Sequence, residues 1–325
     1  MVDVSVVICT YNRAESLRET LESLASQDVK HQLSYEIIVV DNNSKDNTRQ
    51  MVEEFQTRNG HAVQYVFEKK QGVSYARNTG IRCAKGEIIA YLDDDVIADS
   101  YWLEAMWTCF QETKADAVGS KVLRKWNSDQ PNWYSEEIGG CLISQDLGPK
   151  RVKCSSKRQH LVGASIAFRK DVFERCGIFR EELGRRGDEL VGGEDSELYK
   201  RLLKENQLVM YEPNAVVHHK IEPERLTKIY FKRWFWDVGR TLGHELEWKW
   251  HFVITIAPLW LWKQALSAIF RFLKVEFYPP STSSERFAAE VWVLHYWGMI
   301  TERFFHWLPF KLGRKKCAFG GEFKK

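Results

Sequence analysis

The sequence lacks the patterns that mark several large protein classes. Its 325 residues include seven cysteines, an odd number scattered without a C-x-x-C pair, which argues against a zinc ribbon or a disulfide framework. No basic-then-apolar leader precedes the first apolar run, so we expect reduced thiols and a cytoplasmic location. The net charge of +3 does not indicate a nucleic-acid-binding protein.

The glycine-rich motifs of common nucleotide-binding proteins are also missing. The first apolar run, Val4–Ile8, is followed by CTYNR at residues 9–13. This turn contains neither G-x-G-x-x-G nor G-x-x-x-x-G-K-[ST], which disfavours a dinucleotide-dependent dehydrogenase and a P-loop NTPase. A bound diphosphate would therefore be held by a metal ion and by basic side chains.

The apolar run FVITIAPLWLW, at residues 252–262, is too short to span a membrane. It has eleven uncharged residues, whereas a spanning helix needs about 20. From Leu259 onward the apolar and basic side chains fall on opposite helical faces, as in helices that lie among lipid headgroups. The apolar face has Leu259, Trp262, Leu266, Ile269, Phe270 and Leu273, and the polar face has Lys263, Ser267, Arg271 and Lys274.

We expect residues 252–274 to make peripheral contact with the inner face of the cell membrane. The basic tail would add attraction to anionic lipids; it contains Lys311, Arg314, Lys315 and Lys316. Packing of the same helix on the catalytic domain or on a second subunit is the alternative, and both interpretations stay open.

Strand and helix patterns alternate over the first 123 residues. The strand-like runs are Val4–Ile8, Ile37–Val40, Val63–Phe67, Ile88–Leu92 and Ala117–Val122. Continuous apolar strands that alternate with amphipathic stretches predict an α/β fold with a mostly parallel sheet flanked by helices. Ligands of such sheets bind beyond the carboxyl ends of the strands.

The remaining sequence suggests how the chain is organised. Residues 124–160 are rich in Trp, Pro, Gly, Ser and charges, which indicates a loop-rich insertion; regular structure then returns as far as His219. We expect one catalytic domain at 1–222, with a nucleotide-binding half at 1–123 and an acceptor-side half at 124–222. An aromatic-rich helical region would follow at 223–325.

Polar clusters follow the predicted strands at CTYNR (9–13), DNNS (41–44), DDD (93–95) and GGED (192–195). Because side chains alternate along a strand, Asp93 and Asp95 are expected to point the same way. Their charges repel unless a cation or ligand donors compensate. A divalent cation that shares a phosphate fits such oxygen ligands. A solvated acidic turn is the alternative, just as Arg77 could bind a diphosphate or remain a solvated helix-face cation.

Taken in order, these clusters resemble a known family. The runs CTYNR, VVDNNSKDNT, GVSYARNTG, YLDDDV and GGEDSELYKRL are similar to those of the family 2 glycosyltransferases, which are inverting, nucleotide-sugar-dependent enzymes with the Rossmann-like GT-A fold. The resemblance runs from Val4 to about His219. The later EPNAVVHHK and PERL runs are similar to those of bacterial enzymes that build surface polysaccharides.

The resemblance implies a role for each cluster. The nucleotide sugar would contact Thr10, Tyr11, Arg13, Asp41, Asn43, Arg77, Asp93 and Asp94. Mg²⁺ or Mn²⁺ would be held by Asp95, Asp93 and His219, although the middle Asp94 leaves the carboxylate assignment uncertain by one residue.

The last cluster implies the chemistry. Asp195 would take the proton of the attacking hydroxyl as general base. Glu194 would act nearby as an orienting group or contact the sugar. The structural alternative is that both acids cap the N-terminus of a helix. We predict transfer of one sugar, from a UDP-sugar, to a glycan or polyprenyl-linked acceptor. Processive synthases carry Q-x-x-R-W, and here Tyr230 stands at the Gln position. The alternatives are an inactive scaffold at the membrane and a sugar-1-phosphate nucleotidyltransferase.

Overall fold

The computed structural model describes residues 2–30, 33–59, 63–156, 159, 161–187, 192–245, 257–278 and 280–307. The chain divides into two compact units. The first unit comprises Met1–Pro131 and Glu136–Tyr230, and the second comprises Asn132–Ser135 and Phe231–Lys325.

The first unit contains one sheet and its covering helices. The strands are β1 (Val4–Thr10), β2 (Tyr35–Asp41), β3 (Val63–Phe67), β4 (Ile88–Asp93), β5 (Val96–Ala98), β6 (Ala117–Trp126), β7 (Val152–Lys153), β8 (Ser165–Arg169) and β9 (Val209–Ile221). The helices are α1 (Ala14–Ala25), α2 (Thr48–Asn59), α3 (Val73–Cys83), α4 (Trp102–Thr113), α5 (Val172–Cys176) and α6 (Glu194–Lys204), with 3-10 helices at Glu136–Cys141 and Pro223–Arg225.

The strand order within the described residues is β3-β2-β1-β4-β8-β6-β9-β5, and β7 pairs with β9. Strands β1, β2, β3 and β4 are mutually parallel, and β6 is parallel to β9. Strand β8 runs antiparallel between β4 and β6. The predicted α/β class with a mostly parallel central sheet is confirmed.

The sheet is buried on both faces because its strands are apolar on both. Along β1, Val6 and Ile8 join a core with residues of α1, α2 and α4. Val7 faces the opposite core, which includes residues of α3, α5 and α6. This double burial explains why the strands read as continuous apolar runs.

The register of the parallel strands brings the polar clusters to one edge. Thr10 at the end of β1 pairs with Asp41 at the end of β2. Cys9 pairs with Asp93, where β4 ends. Three of the four clusters therefore leave the sheet side by side.

The second unit contains the helices α7 (Lys228–Glu245), α8 (Leu259–Phe277) and α9 (Ser283–Trp307). Glycines let α7 and α9 approach closely, because a Cβ on Gly298 would lie 2.6 Å from the Trp236 carbonyl oxygen. Trp133 packs edge-on between Phe231 and Phe287, with ring centroids 5.1 and 4.9 Å away. No helix among the described residues combines the length and the apolar content needed to cross a membrane.

The predicted helix from Leu259 onward is present as α8, and a narrow face of this helix is buried. Leu261, Ala265 and Ala268 are buried, and the first two share a cluster with α9. The apolar residues of the predicted face are largely exposed, including Leu266 at 63% and Phe270 at 71%. Residues 252–256 and the basic tail lie outside the described residues.

Candidate active site

The first polar cluster is bonded directly to the acidic triplet. Thr10 Oγ1 donates to Asp94 Oδ2 at 2.7 Å. Arg13 Nη1 donates to Asp94 Oδ1 at 3.0 Å and to Asp95 Oδ2 at 2.7 Å. Charge-assisted contacts of this kind fix the geometry of both partners, so the ends of β1 and β4 form one rigid edge.

The acids of the triplet have different environments. Strand β4 ends at Asp93, so the alternation that predicted a common direction for Asp93 and Asp95 does not extend to Asp95. The side chain of Asp93 is 33% exposed and lies 3.7 Å from Arg77 Nη2. Burial raises the pKa of Asp93 to about 7, with Arg77 opposing that rise and the two neighbouring acids adding to it.

Asp95 is enclosed by basic groups on both oxygens. Arg225 Nη2 donates to Asp95 Oδ2 at 2.7 Å, and His219 Nε2 lies 3.4 Å from Asp95 Oδ1. Burial would raise the pKa of Asp95, but His219 and the two arginines outweigh it and hold the pKa below its usual range. Because His219 is neutral at pH 7, as its contacts show below, the charges of Arg13 and Arg225 hold the Asp95 carboxylate ionised.

The protonation state of His219 follows from its contacts. Arg225 Nη1 lies 3.2 Å from His219 Nε2, and because a guanidinium only donates, Nε2 accepts. Burial lowers the pKa of His219 to about 4, so the ring is neutral with its proton on Nδ1. That Nδ1 atom is buried and has no hydrogen-bond partner among the described residues.

A second set of contacts joins α3 to the start of α6. Arg77 Nη1 donates to Glu194 Oε1 at 2.8 Å, and both side chains are nearly fully buried. Burial raises the pKa of Glu194, and Arg77 opposes that rise. The Arg77 guanidinium also lies 5.3 Å from the ring centroid of Phe179. Arg77, predicted to bind the diphosphate, is therefore held between Glu194 and Asp93.

Asp195 lies beside Arg77, across one glycine. The N–H of Gly163 donates to Asp195 Oδ2 at 2.9 Å, and the N–H of Ser196 donates to Oδ1 at 2.7 Å. A Cβ on Gly163 would lie 2.7 Å from Arg77 Nη2 and 3.0 Å from Asp195 Oδ2. Gly193 has a φ of 102°, a conformation that glycine adopts readily, and it lets α6 begin directly at the two acids.

The acidic triplet joins the two sets of contacts. Asp93, beside Arg77, is followed directly by Asp94 and Asp95, which bind Arg13. The charge of Arg185 opposes the rise in the pKa of Asp93 and of Glu194. The backbone carbonyl of Arg185 accepts from the Val73 N–H, at the start of α3, at 3.0 Å.

The second cluster lies in the loop after β2. Asp41 is buried; its Oδ1 accepts from the Ser44 N–H at 2.8 Å and its Oδ2 from the Tyr65 hydroxyl at 2.7 Å. Asn43 has a φ of 66°, and its Oδ1 accepts from Lys45 Nζ at 3.1 Å. Tyr11 is half-buried at the neighbouring strand end. The nucleotide-binding roles predicted for these residues remain predictions.

The structure brings nine of the predicted residues into two adjacent groups, while Asp41 and Asn43 make separate contacts in the loop after β2 and Tyr11 belongs to neither group. We call them the Asp95 group (Thr10, Arg13, Asp94, Asp95, His219 and Arg225) and the Asp195 group (Arg77, Asp93, Gly163, Glu194 and Asp195). Gly163, Arg185 and Arg225 were not predicted. An isolated glycine in a strand-like run is a signal of close backbone approach, and it could have indicated Gly163.

The donor atoms of the Asp95 group fit a hard divalent cation. No three His, Cys, Asp or Glu side chains within the described ranges form a ready-made metal cluster. Asp95 Oδ1 and His219 Nε2 nevertheless present lone pairs at 3.4 Å from each other. One or two protein ligands suffice for Mg²⁺ when substrate phosphates complete its shell, and imidazole also suits transition metals.

Related proteins match a large part of the chain. Residues 5–177 match the family model described as glycosyl transferase family 2. A glucosyl-dolichyl phosphate glucuronosyltransferase from Haloferax volcanii is 30% identical over 226 residues, which is 67% of this chain and 69% of that protein. A succinoglycan biosynthesis protein, ExoM, from Rhizobium meliloti is 27% identical over 250 residues, 76% of each chain.

A solved structure shares the fold. The mannosyltransferase PcManGT from Pyrobaculum calidifontis, in complex with GDP-Man and Mn²⁺, superposes with a TM-score of 0.54 at 20% identity. The match covers 74% of this chain and 61% of that one. The predicted GT-A fold is thereby confirmed. Since the family model matches more than half of the chain, this protein belongs to glycosyl transferase family 2 and is a glycosyltransferase.

Proposed function

We propose that the protein transfers one sugar, with inversion, from a nucleotide sugar to a glycan or lipid-linked acceptor. The observation that supports this most strongly is the position of Gly163, which has Arg77 Nη2 and Asp195 Oδ2 both within 3.0 Å of where its Cβ would be. Arg77 in turn reaches Asp93 at 3.7 Å. The proposed proton acceptor, Asp195, therefore lies next to Arg77 and Asp93, which are proposed to contact the nucleotide sugar.

Asp195 is suited to act as the general base. Its carboxylate is half-buried and is oriented by two backbone N–H groups, which leave lone pairs on each oxygen for an acceptor hydroxyl. A base in this position contributes about 10²–10⁴-fold to the rate. Glu194 is engaged with Arg77, so we assign it to positioning Arg77 rather than to proton transfer.

The reaction balances as a single displacement. The acceptor oxygen bonds to the anomeric carbon while the bond from that carbon to the diphosphate oxygen breaks, and its electron pair leaves on the diphosphate. The acceptor proton passes to Asp195. A divalent cation held by Asp95 and His219, with Asp93 nearby, would supply Lewis-acid stabilisation of the charge on the leaving diphosphate.

The nucleotide would lie along the edge formed by the first two clusters. Thr10, Tyr11 and Arg13 lie at the end of β1, next to Asp41 and Asn43 after β2. Uridine is the base that the sequence resemblance favours, while PcManGT was solved with GDP-Man. A panel of UDP- and GDP-sugars is therefore the first experiment for the donor.

The acceptor and the location are proposed together. The name of the Haloferax relative contains a dolichyl phosphate, which favours a lipid-linked acceptor reached from the cytoplasmic face of the membrane. The exposed apolar face of α8 supports peripheral contact there, because its basic residues Lys263 and Lys274 are also exposed and can meet anionic headgroups.

Vesicle flotation tests the membrane contact. Phe270→Ser should reduce flotation with phosphatidylglycerol-containing vesicles, since Phe270 is 71% exposed on α8. Phe67→Ser is the matched control, because Phe67 is 52% exposed on β3 of the first unit. Equal flotation of both variants would contradict the contact, and a dimer broken only by Phe270→Ser would favour a second subunit as the partner.

Asp195→Asn tests the catalytic proposal. We expect transfer to fall by about 10²–10⁴-fold, while the donor still raises the melting temperature. Glu197→Gln is the control, because Glu197 is on the same helix and pairs with Arg201 at 2.8 Å. Unchanged transfer by Asp195→Asn would refute the assignment of the base.

A further inference from the structure

Arg225 binds the two side chains proposed to hold the divalent cation. It ends the 3-10 helix that follows β9 and is 6% exposed. One nitrogen donates to Asp95 Oδ2 at 2.7 Å, and the other lies 3.2 Å from His219 Nε2. This guanidinium therefore bridges both proposed ligands.

Arg225 compensates the repulsion between two acceptor atoms, one on His219 and one on Asp95. His219 Nε2 and Asp95 Oδ1 are both acceptors and lie only 3.4 Å apart. Two facing lone pairs, one on an anion, repel in a buried site unless a positive group compensates. Arg225 supplies that charge here, and a divalent cation on the same two atoms would supply it in its place.

We propose that Arg225 is a tethered counter-cation that holds Asp95 and His219 in the cation-free protein and competes with the divalent cation for them. This inference rests on the proposed function. Two positive groups on one carboxylate and one imidazole repel each other, so binding of the metal requires Arg225 to release at least one partner. Arg225 thereby weakens the affinity for the metal alone.

Arg13 explains why this release is feasible. It donates to Asp95 Oδ2 at 2.7 Å, the same oxygen that Arg225 contacts. When Arg225 leaves, Asp95 keeps Arg13 as a cationic partner. The freed guanidinium can then bind a new anion, such as the diphosphate of the donor. The arrangement thus couples metal binding to donor binding.

Titration with Mn²⁺ tests the proposal on the full chain. Free Mn²⁺ is followed by electron paramagnetic resonance, with and without UDP. Arg225→Gln should bind Mn²⁺ alone at least about tenfold more tightly than wild type, because a charge-assisted hydrogen bond is worth about that factor or more. The gain in affinity caused by UDP should also shrink. Arg225→Lys keeps the charge but loses the planar fork that meets both partners, so its Mn²⁺ affinity should lie between those of wild type and Arg225→Gln.

A matched control separates competition from folding. Arg151 pairs with the fully buried Glu212 of β9, outside both acid groups. Arg151→Gln should lower the melting temperature of the metal-free protein and leave the Mn²⁺ affinity unchanged. Arg225→Gln should also lower that temperature but raise the affinity.

Each outcome decides the proposal. If Arg225→Gln has a lower melting temperature but binds Mn²⁺ no more tightly than wild type, it has lost only a structural contact. That result overturns the inference but not the proposed function. If Arg225→Gln does not fold, Arg225→Lys decides by the same comparison. If wild type binds no Mn²⁺ even with UDP, the metal-dependent function fails and the inference fails with it.

Discussion

Replacing Gly163 with alanine tests whether the positions of Arg77 and Asp195 matter for catalysis. The new Cβ would lie 2.7 Å from Arg77 Nη2 and 3.0 Å from Asp195 Oδ2, whereas ordinary van der Waals contact begins at 3.4 Å. The guanidinium must therefore move by about 0.7 Å and the carboxylate by about 0.4 Å to restore normal contact. Gly163 is not among the residues with positive φ, so the backbone itself accepts alanine.

The size of the effect follows from these displacements. A 1 Å misplacement at an active site can cost about 10²-fold in rate, so we expect kcat to fall by about 10- to 10²-fold. Overpacking should lower the free energy of unfolding by about 1–3 kcal/mol. Both quantities are measured on the same preparation, by steady-state transfer and by urea denaturation.

Gly119→Ala is the control for overpacking. Its Cβ would lie 2.5 Å from Leu161 Cδ2, an apolar core side chain outside the two acid groups. The loss of unfolding free energy should be comparable, while kcat stays near that of wild type. If Gly163→Ala and Gly119→Ala show the same kcat at the same loss of stability, the positions of Arg77 and Asp195 do not limit the reaction, and the assignment of the site is refuted.

Two further predictions concern Asp95, in the acidic triplet, and Asp46, just before α2. Asp95→Ala should remove the part of the donor-induced thermal stabilisation that depends on Mn²⁺, because it deletes a proposed ligand; an unchanged response to Mn²⁺ in a thermal-shift assay would exclude Asp95 as a ligand. Asp46 accepts from the Ala14 and Thr48 N–H groups at 3.1 Å each, so Asp46→Ala should lower the free energy of unfolding by about 1–2 kcal/mol. Burial opposes ionisation of Asp46, but its hydrogen bonds with Thr48 and Ala14 outweigh that effect and lower its pKa. A carboxyl group whose pKa is lower in the folded protein stabilises the fold at pH values above its unfolded pKa, and this stabilisation is lost as the pH falls through its folded pKa. Wild type and Asp46→Ala should therefore converge in unfolding free energy in acid.

The strands and the position of the site could be predicted because both depend on local patterns. Apolar runs such as Val4–Ile8 set the strands, and parallel pairing then brings the clusters that follow them to one edge. The prediction that Asp93 and Asp95 share a direction assumed that β4 continues through the triplet. The chain turns after Asp93 instead.

The contacts that complete the site depend on residues far apart in the chain. Arg225 lies 130 positions from Asp95, and Gly163 lies 32 positions from Asp195. No periodicity relates such pairs, because their meeting depends on the order of β8, β6 and β9 in the sheet. The helix α8 was predictable from its spacing, whereas its exposed side depends on how α9 packs against Leu261 and Ala265.

The anomeric configuration of the product tests the proposed displacement most directly. When Asp195 activates an acceptor that attacks opposite the diphosphate, a donor whose sugar is α-linked must give a β-linked product. NMR of the first product formed, from the one-bond carbon–proton coupling constant at its anomeric carbon, decides between the two configurations for any pyranose. We predict the β configuration, and an α-linked product would contradict a single displacement with Asp195 as the base.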